Sequence, residues 1–341
     1  MPDHDMRLEH LQQWLAPQLA KLYAQNQWGP VPEITLTAAS SDASFRRYFR
    51  WQDPTRSFIV MDAPPPQENC GPFVDIAERL KVAALHVPVV LAQDLANGFL
   101  LLTDLGRQTY LDVLTDDNAD ALFADAIDAL LVQQSSVATH ALAEYDQALL
   151  MRDLNLFSEW YVERELGLNL SAEQAHLWQA SCKALLDSAL AQPKVIVHRD
   201  FMPRNLMYST PNPGVLDFQD AVLGPITYDV TCLFKDAFIS WDLARVDRWL
   251  KQYWEKARAQ GLPVAEDFAD FLRASDLMGV QRHLKVLGIF ARICHRDGKP
   301  KYLGDAPRFI AYIQQVLARR PELAPLGELF NQLGLIKDHH Q

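Results

Sequence analysis

Glycine is scarce in this chain, 14 in 341 residues, and none lies between Gly29 and Gly71. That stretch therefore holds no glycine-rich loop of the kind that lets a backbone close around phosphate groups. Lysine is missing there too: from Pro30 to Met61 the cationic side chains are Arg46, Arg47, Arg50 and Arg56. Cysteine is limited to Cys70, Cys182, Cys232 and Cys294, with no pair at the short spacing of a zinc site, so buried reduced thiols are expected. No run of eighteen apolar residues occurs, which excludes a helical membrane span. Met1 to Glu9 carries three acids and no apolar core, so no signal peptide and a cytoplasmic location are expected. Positive charge is in deficit: 32 Lys+Arg against 43 Asp+Glu leave −11 at pH 7. Such a balance argues against nucleic acid as a partner of the whole surface. No internal repeat or low-complexity stretch is present.

What is present divides unevenly. Apolar residues make up 49% and charged residues 22%, the composition of a globular protein long enough for two lobes. Leu8, Leu11, Trp14, Leu15, Leu19, Leu22 and Tyr23 fall on one helical stripe. Strands are expected at Ile34–Thr37, Ser44–Trp51 and Ser57–Met61, which are rich in β-branched and aromatic residues and separated by turn residues such as Asp53-Pro54. Pro64-Pro65-Pro66 marks a linker. A helix is expected from Pro72 to about Leu85, then strands at Val87–Leu91 and Phe99–Thr103. Beyond Gly106 helical periodicity dominates, over Ala119–Val137, Leu149–Leu166 and Ala172–Leu190, the last opened by a capping box of Ser171 and Gln174. An island of short strands, Val195–His198, Asn205–Tyr208 and Gly214–Phe218, interrupts it, and helices resume from Tyr228. The expectation is an α+β chain: a strand-rich first lobe, residues 1–103, and a helical second lobe, residues 104–341, with a ligand in the cleft between them.

The island carries the chemistry. Val197 to Leu206 reads VHRDFMPRNL, and twelve residues after Asn205 comes Asp217 in VLDFQD. H-R-D-x-x-x-x-N followed by a strand ending in D-F is the pattern of kinase-type phosphoryl transfer. An attacking hydroxyl needs a proton acceptor, and Asp200 supplies one. Nucleotide phosphates need Mg²⁺, a hard cation that takes oxygen ligands, and Asn205 and Asp217 offer an amide oxygen and a carboxylate. Base and ligand on one short loop have a fixed mutual distance. Two readings compete. These residues are also common turn-capping polars, and His198, Asp200 and Asp217 would suit a metal hydrolase, although no further His or Glu nearby completes a ligand set.

The segments HRDFMPRN and LDFQDAVLGPITYDV resemble the aminoglycoside phosphotransferase and choline kinase superfamily, and the resemblance runs from about Thr35 to about Ile313. SSDASFRRYFR (Ser40–Arg50), VMDAPPPQENC (Val60–Cys70), LLLTDLG (Leu100–Gly106) and HRDFMPRNLM look, more narrowly, like the superfamily's bacterial amino-sugar 1-kinases of peptidoglycan recycling. The resemblance implies a two-lobed protein-kinase-like fold with ATP and Mg²⁺ as cofactors. It implies Asp200 as catalytic base, Asn205 and Asp217 as metal ligands, and backbone groups near Thr103 and Leu105 as the adenine-binding hinge. Asp229 would support the catalytic loop, which includes His198; an acid favoured by a helix N-terminus is the competing reading of Asp229. The implied partner is a small-molecule sugar, N-acetylmuramate or N-acetylglucosamine, phosphorylated at its anomeric hydroxyl. No membrane, nucleic acid or obligate protein partner is expected. Another small acceptor, such as an aminoglycoside or choline, and a nucleotide-binding pseudokinase are the alternatives.

The chain departs from the kinase pattern on its third strand, Ser57–Asp62, which lacks the usual lysine. Arg46 or Arg47 is expected to take its place, following a turn whose Ser41 and Ser44 would face the phosphates. Strand alternation puts the two arginines on opposite faces, so one of them points at the ligand. Glu78 is the expected acidic partner. On the acceptor side Arg204, Gln219, Asp220 and Glu159 are expected near the sugar. Trp160, amid Phe157 and Tyr161, and His283, Arg292, His295 and Arg296 are further candidates, with core packing as the competing reading.

Overall fold

The computed structural model describes residues 5–41 and 45–336, without the side chains of Ser40 and Ser41. The chain forms two compact units, Met1–Gln108 with Met207–Asp220, and Thr109–Leu206 with Ala221–Gln341. The boundary lies at residue 108 rather than 103, and 207–220 belong with the strands of the first unit rather than with the helices. Backbone bonds explain the difference: Tyr208 N–H donates to the Gln108 carbonyl at 2.8 Å and Val215 N–H to the His86 carbonyl at 2.8 Å.

In the first unit, helix α1 (Met6–Asn26) begins where the Asp5 carboxylate accepts from the Leu8 amide at 3.0 Å. Its apolar stripe of Leu11, Leu15, Leu19 and Tyr23 is buried against Trp51, Phe58, Val60, Phe99 and Leu101. These last residues come from an antiparallel sheet of β1 (Thr37–Ser41), β2 (Arg47–Gln52), β3 (Ser57–Asp62), β4 (Val90–Asp94) and β5 (Phe99–Thr103), in the order β1-β2-β3-β5-β4. The first strand starts at Thr37 rather than Ile34, because Ile34 and Leu36 pack under α1 instead. The fourth starts at Val90 rather than Val87; Pro88 has no N–H to give a ladder. Helix α2 (Gly71–Val82) opens with Pro72 in its first turn. At the end of β3, Asp62 is fully buried, and a carboxylate survives there only when paired. Arg7 Nε meets it at 2.7 Å and Arg47 Nη2 at 2.6 Å.

The second unit is mainly helical: α3 (Tyr110–Val113), α4 (Ala119–Ser136), α5 (Gln147–Leu156), α6 (Ala172–Leu190), α7 (Tyr228–Phe234), α8 (Leu243–Ala259), α9 (Phe268–Asp297), α10 (Ala306–Leu317) and α11 (Ala324–Gln332). The single helix expected over 149–166 is α5 running into a π-helical segment, Phe157–Glu165. The capping box of α6 is present, with the Gln174 amide 3.2 Å from Ser171 Oγ and the Ser171 amide 3.0 Å from Gln174 Oε1. Strand β6 (Lys194–Val197) is followed by β7 (Leu206–Met207), where the chain returns to the first unit and ladders with β8 (Gly214–Val215). β6 itself pairs antiparallel with β9 (Val222–Pro225), a strand that its Gly224 and Pro225 make unexpected from composition. Helix α9 packs on α5, α6, α7, α8, α10 and the π-helical segment, and so forms the axis of this unit. The crossing is close: a Cβ on Gly288 would stand 2.3 Å from the Leu156 carbonyl.

The β4–β5 turn has one residue that glycine alone suits. Gly98 has φ +72°, and a Cβ there would lie 1.9 Å from the Ala63 carbonyl oxygen, which sits beside the Ala63 amide bonded to Gly98 O. Gly98→Ala is expected to destabilise the protein by about 2–4 kcal/mol. Urea unfolding tests this, and a wild-type midpoint in the variant would refute the steric account.

Candidate active site

β6 ends at Val197 and the chain turns sharply. Arg199 has φ +77°, a conformation that a residue with a side chain keeps only when held there. Asp229, fully buried in the first turn of α7, holds it. Asp229 Oδ2 accepts from the His198 amide at 2.7 Å and Oδ1 from the Arg199 amide at 3.0 Å, while Gln133 Nε2 donates to Oδ2 at 3.0 Å. Burial dominates and raises the pKa of this carboxyl, against the pull of His198 and the hydrogen bonds. The side chain of Arg199 is gripped as well. Its guanidinium lies 5.4 Å over the Tyr145 ring and 3.6 Å from Asp153, which also meets Lys285 at 3.2 Å.

Asp200 follows this braced turn. Its amide donates to His198 Nδ1 at 3.3 Å, and its carbonyl accepts from Asn205 Nδ2 at 2.9 Å. His198 is buried, edge-on to Phe201. With its nitrogen committed to the loop, Asn205 has its oxygen as the atom with metal-ligand chemistry. Arg282, buried on α9, lies beside the loop with Nη2 3.8 Å from Met202 Sδ. Burial works against its charge, but neighbouring groups, Asp200 and Asp236 among them, more than offset this and raise its pKa. Asp236 is itself fully buried, and burial pushes its pKa up to about 6 despite Arg282.

The first unit holds the remaining acids. Asp217 has φ +63°, and its Oδ1 accepts from Gln219 Nε2 at 2.9 Å. Phe218, next to it, packs on Phe73 of α2 with ring centres 4.9 Å apart. Arg46 Nη2 lies 3.0 Å from Glu68. Burial disfavours the Arg46 charge, yet Tyr48, Glu68, Asp220 and Asp217 together raise its pKa. Arg47, on the other face, is spent on Asp62 and Asp5. Glu78 is not the acid beside these arginines: it pairs with Lys81 at 3.1 Å on the exposed side of α2, and Glu68, just after the prolines, takes that position. Ser44 lies outside the described residues, and of Ser41 only the backbone is described.

One backbone group of the expected hinge is already engaged. The Thr103 amide donates to the Val89 carbonyl at 3.0 Å and its hydroxyl accepts from the Val89 amide at 2.9 Å, so this N–H is not available to an adenine. Asp104 is anchored by Arg50 at 3.0 Å, Ser57 at 2.7 Å and the Gly106 amide at 3.0 Å. Between these fixed points Leu105 lays its Cδ1 where a Cβ on Gly214 would be 2.8 Å away.

Within the second unit Arg204 lines a cavity of about 470 Å³ together with Thr109, Asp112, Phe238, Lys301 and Tyr302. Its guanidinium stands 5.4 Å over the Phe238 ring. Glu159 is exposed on the π-helical segment and does not line this cavity. His283 is buried, 5.0 Å from the Tyr312 ring; burial holds its pKa well below the usual histidine value. His295 bonds Glu165 at 2.7 Å and Arg296 bonds Asp297 at 2.7 Å. The helical stripe that suggested these residues is therefore packing and surface pairing. Gln133, Glu68 and Arg282 carry no signal in the sequence, since each matters through a partner distant in the chain; Gln133 and Asp229 are 96 residues apart.

Residues 35–268 match the model of the phosphotransferase enzyme family, and the chain belongs to that family. The α+β, kinase-like class expected from the sequence is also that of solved neighbours. A ternary complex of an aminoglycoside phosphotransferase with AMP-PNP and hygromycin B aligns with TM-score 0.56 at 15% identity, over 88% of this chain and 99% of that one. A choline/ethanolamine kinase family protein from Mesorhizobium loti aligns with TM-score 0.55 at 14% identity, over 92% and 99%. At such identities the likeness is one of fold. Curated relatives are far more similar: a Pseudomonas putida protein is 66% identical over 333 residues, 98% of each chain, and a Pseudomonas aeruginosa protein 61% identical over 329 residues, 96% of this chain and 97% of the relative. Both are named N-acetylmuramate/N-acetylglucosamine kinase.

Two outcomes test this geometry. Asp229→Ala leaves two loop amides without their acceptor, and should cost about 2–4 kcal/mol of stability and at least about 100-fold in turnover. Unchanged turnover in a folded variant would show that the brace is dispensable. Asp236 has a folded pKa near 6, above that of an unfolded aspartate. Its contribution to stability is therefore full below about pH 4 and is lost as pH rises through about 6, a change on the order of 3 kcal/mol. Urea midpoints of the wild type and Asp236→Asn between pH 4 and 7 should diverge accordingly; parallel profiles would refute the buried carboxyl's role.

Proposed function

We propose that this protein transfers the γ-phosphoryl group of ATP to the anomeric hydroxyl of N-acetylmuramate and N-acetylglucosamine. The observation that carries the reading is 66% identity, over 98% of both chains, to a kinase named for those two sugars. The loop geometry supports it. Asp200 follows a turn fixed by Asp229 and is tied to Asn205 by its own carbonyl, so little of its position is left to be set when substrate binds. In the reaction the sugar's O1 attacks phosphorus in line, the new O–P bond forms as the bond to the ADP oxygen breaks, and Asp200 orients the hydroxyl and takes its proton. An anomeric hydroxyl is more acidic than an ordinary alcohol, so the step demands no unusually strong base. Asn205 and Asp217 are hard oxygen donors that fit Mg²⁺, which when bound supplies neutralisation of the phosphate charge.

Arg46 takes the part of the absent strand lysine. Its charge stands among Glu68, Asp217 and Asp220, whereas that of Arg47 is consumed by Asp62 and Asp5. Leu105 is the hinge position whose backbone would meet the adenine, and Gln219 and Asp220 are placed beside Asp217 for further polar contacts. Among the described residues no helix is long and apolar enough to cross a membrane, and use of ATP suits a cytoplasmic enzyme.

A panel of acceptors with ATP, followed by ³¹P NMR of the products, decides the substrate. The expected product is the sugar 1-phosphate. Phosphorylation of kanamycin or choline without amino-sugar turnover would overturn the reading. Asp200→Asn should keep nucleotide binding and lower kcat by about 10²–10⁴-fold; full activity would remove Asp200 from the mechanism.

A further inference from the structure

The cavity beside Arg204 is lined by two acids and two cations. Two carboxylates line it, and both are engaged elsewhere. Asp112 accepts from the Thr109 amide at 2.7 Å and the Thr109 hydroxyl at 2.8 Å, capping α3, and Asp305 pairs with Arg308 at 3.5 Å. Two cations line it as well. Lys301 lies 5.2 Å from the Tyr302 ring centre and makes no ion pair among the described residues. Arg204 lies over Phe238. Of the cations on this wall, Lys301 is the one that makes no ion pair among the described residues, and two aromatic rings accompany it. About 470 Å³ suits a substituted monosaccharide. The place is right for an acceptor, because Arg204 belongs to the same 3₁₀ turn as Asn205, in the loop that Asp229 braces.

We infer that this cavity is the acceptor site and that Lys301, with Arg204, receives a carboxylate of the acceptor, so that Lys301 sets the preference for an acidic N-acetylated sugar over a neutral one. The inference rests on the proposed amino-sugar kinase reading and adds its specificity determinant. N-acetylmuramate carries a lactyl carboxylate and N-acetylglucosamine carries none. A protein of net charge −11 repels an anionic acceptor at a distance, so local cations must offset that repulsion at the site. The aromatic faces of Phe238 and Tyr302 serve both sugars alike. Lys301 is exposed and holds no other charge in place, so its replacement leaves the fold intact.

The test measures kcat/KM of the full chain for N-acetylmuramate, its methyl ester and N-acetylglucosamine, in the wild type, Lys301→Gln and Lys301→Arg, with thermal unfolding as a check on folding. Lys301→Gln is expected to lower kcat/KM for the acid about tenfold or more, through KM, and to change that for the ester and the neutral sugar less than about threefold. Lys301→Arg should restore the acid. Raised salt should weaken the acid alone. Equal losses for all three sugars, or no loss for the acid, would overturn the role of Lys301. Arg204→Gln with equal losses for all three sugars and a raised KM for ATP would assign Arg204 to the nucleotide and overturn its share of the site. A wild type that phosphorylates none of the three sugars would instead refute the amino-sugar reading itself, before any variant is made.

Discussion

One buried carboxylate organises the candidate catalytic loop. Between the β6–β9 ladder and the 3₁₀ turn at Asn205, the chain reverses through a left-handed arginine, and the amides of His198 and Arg199 leave the strand pattern together. Unpaired amides inside a protein cost as much as lost hydrogen bonds. Asp229 accepts both, and a carboxylate suits the task because its two oxygens can serve two consecutive donors at once. The arrangement has its own cost, since a fully buried carboxyl is pushed toward its neutral form. Gln133, reaching across from α4, offsets part of that cost. Asp200 inherits its position from this chain of bonds, and Asn205 in turn from Asp200.

The first unit solves a different electrostatic problem by strand alternation. Arg46 and Arg47 are adjacent, but they answer to different acids. Arg47 neutralises Asp62, which is wholly buried and therefore needs a cation. Arg46 stands with Glu68, Asp217 and Asp220. A single lysine on the third strand could not do both jobs. The chain instead places two always-charged guanidinium groups at the start of β2, one paired with Asp62 and one beside Glu68, Asp217 and Asp220.

How much of this could be read from the sequence follows from the range of each interaction. The α1 stripe, the α6 capping box and the spacing of Asp200, Asn205 and Asp217 are local patterns, and all were legible. So was the family, because its motif is a local one. The starts of β1 and β4 were misplaced because packing under α1 and a proline outranked strand propensity. Strand β9 was not legible because Gly and Pro are poor strand formers; it is held by β6 on one side and by Ala143 and Tyr145 backbone bonds to Leu223 on the other. Glu78 looked like the partner of an arginine because it lies on the helix after the third strand, yet its nearest cation, Lys81, is one turn away on the same helix. Lys301 and Phe238 had no sequence signal at all, since neither lies near the motif in the chain.

The charge of −11 takes on a more specific meaning in this light. The excess acid is spread over the surface, while cations are concentrated where chemistry needs them: Arg199, Arg282 and Lys285 beside the loop, Arg46 beside Asp217, and Arg204 with Lys301 at the cavity. Buried charges such as Arg282 and Lys285 are screened far less than exposed ones, so a few of them outweigh many exposed acids at short range. A kinase for an anionic sugar must bring two negatively charged reactants together in one place. A net-acidic chain does so more readily when cations beside the loop are held in position by buried partners. Asp153 gripping Arg199 and Lys285, and Glu68 facing Arg46, are how this chain meets that requirement.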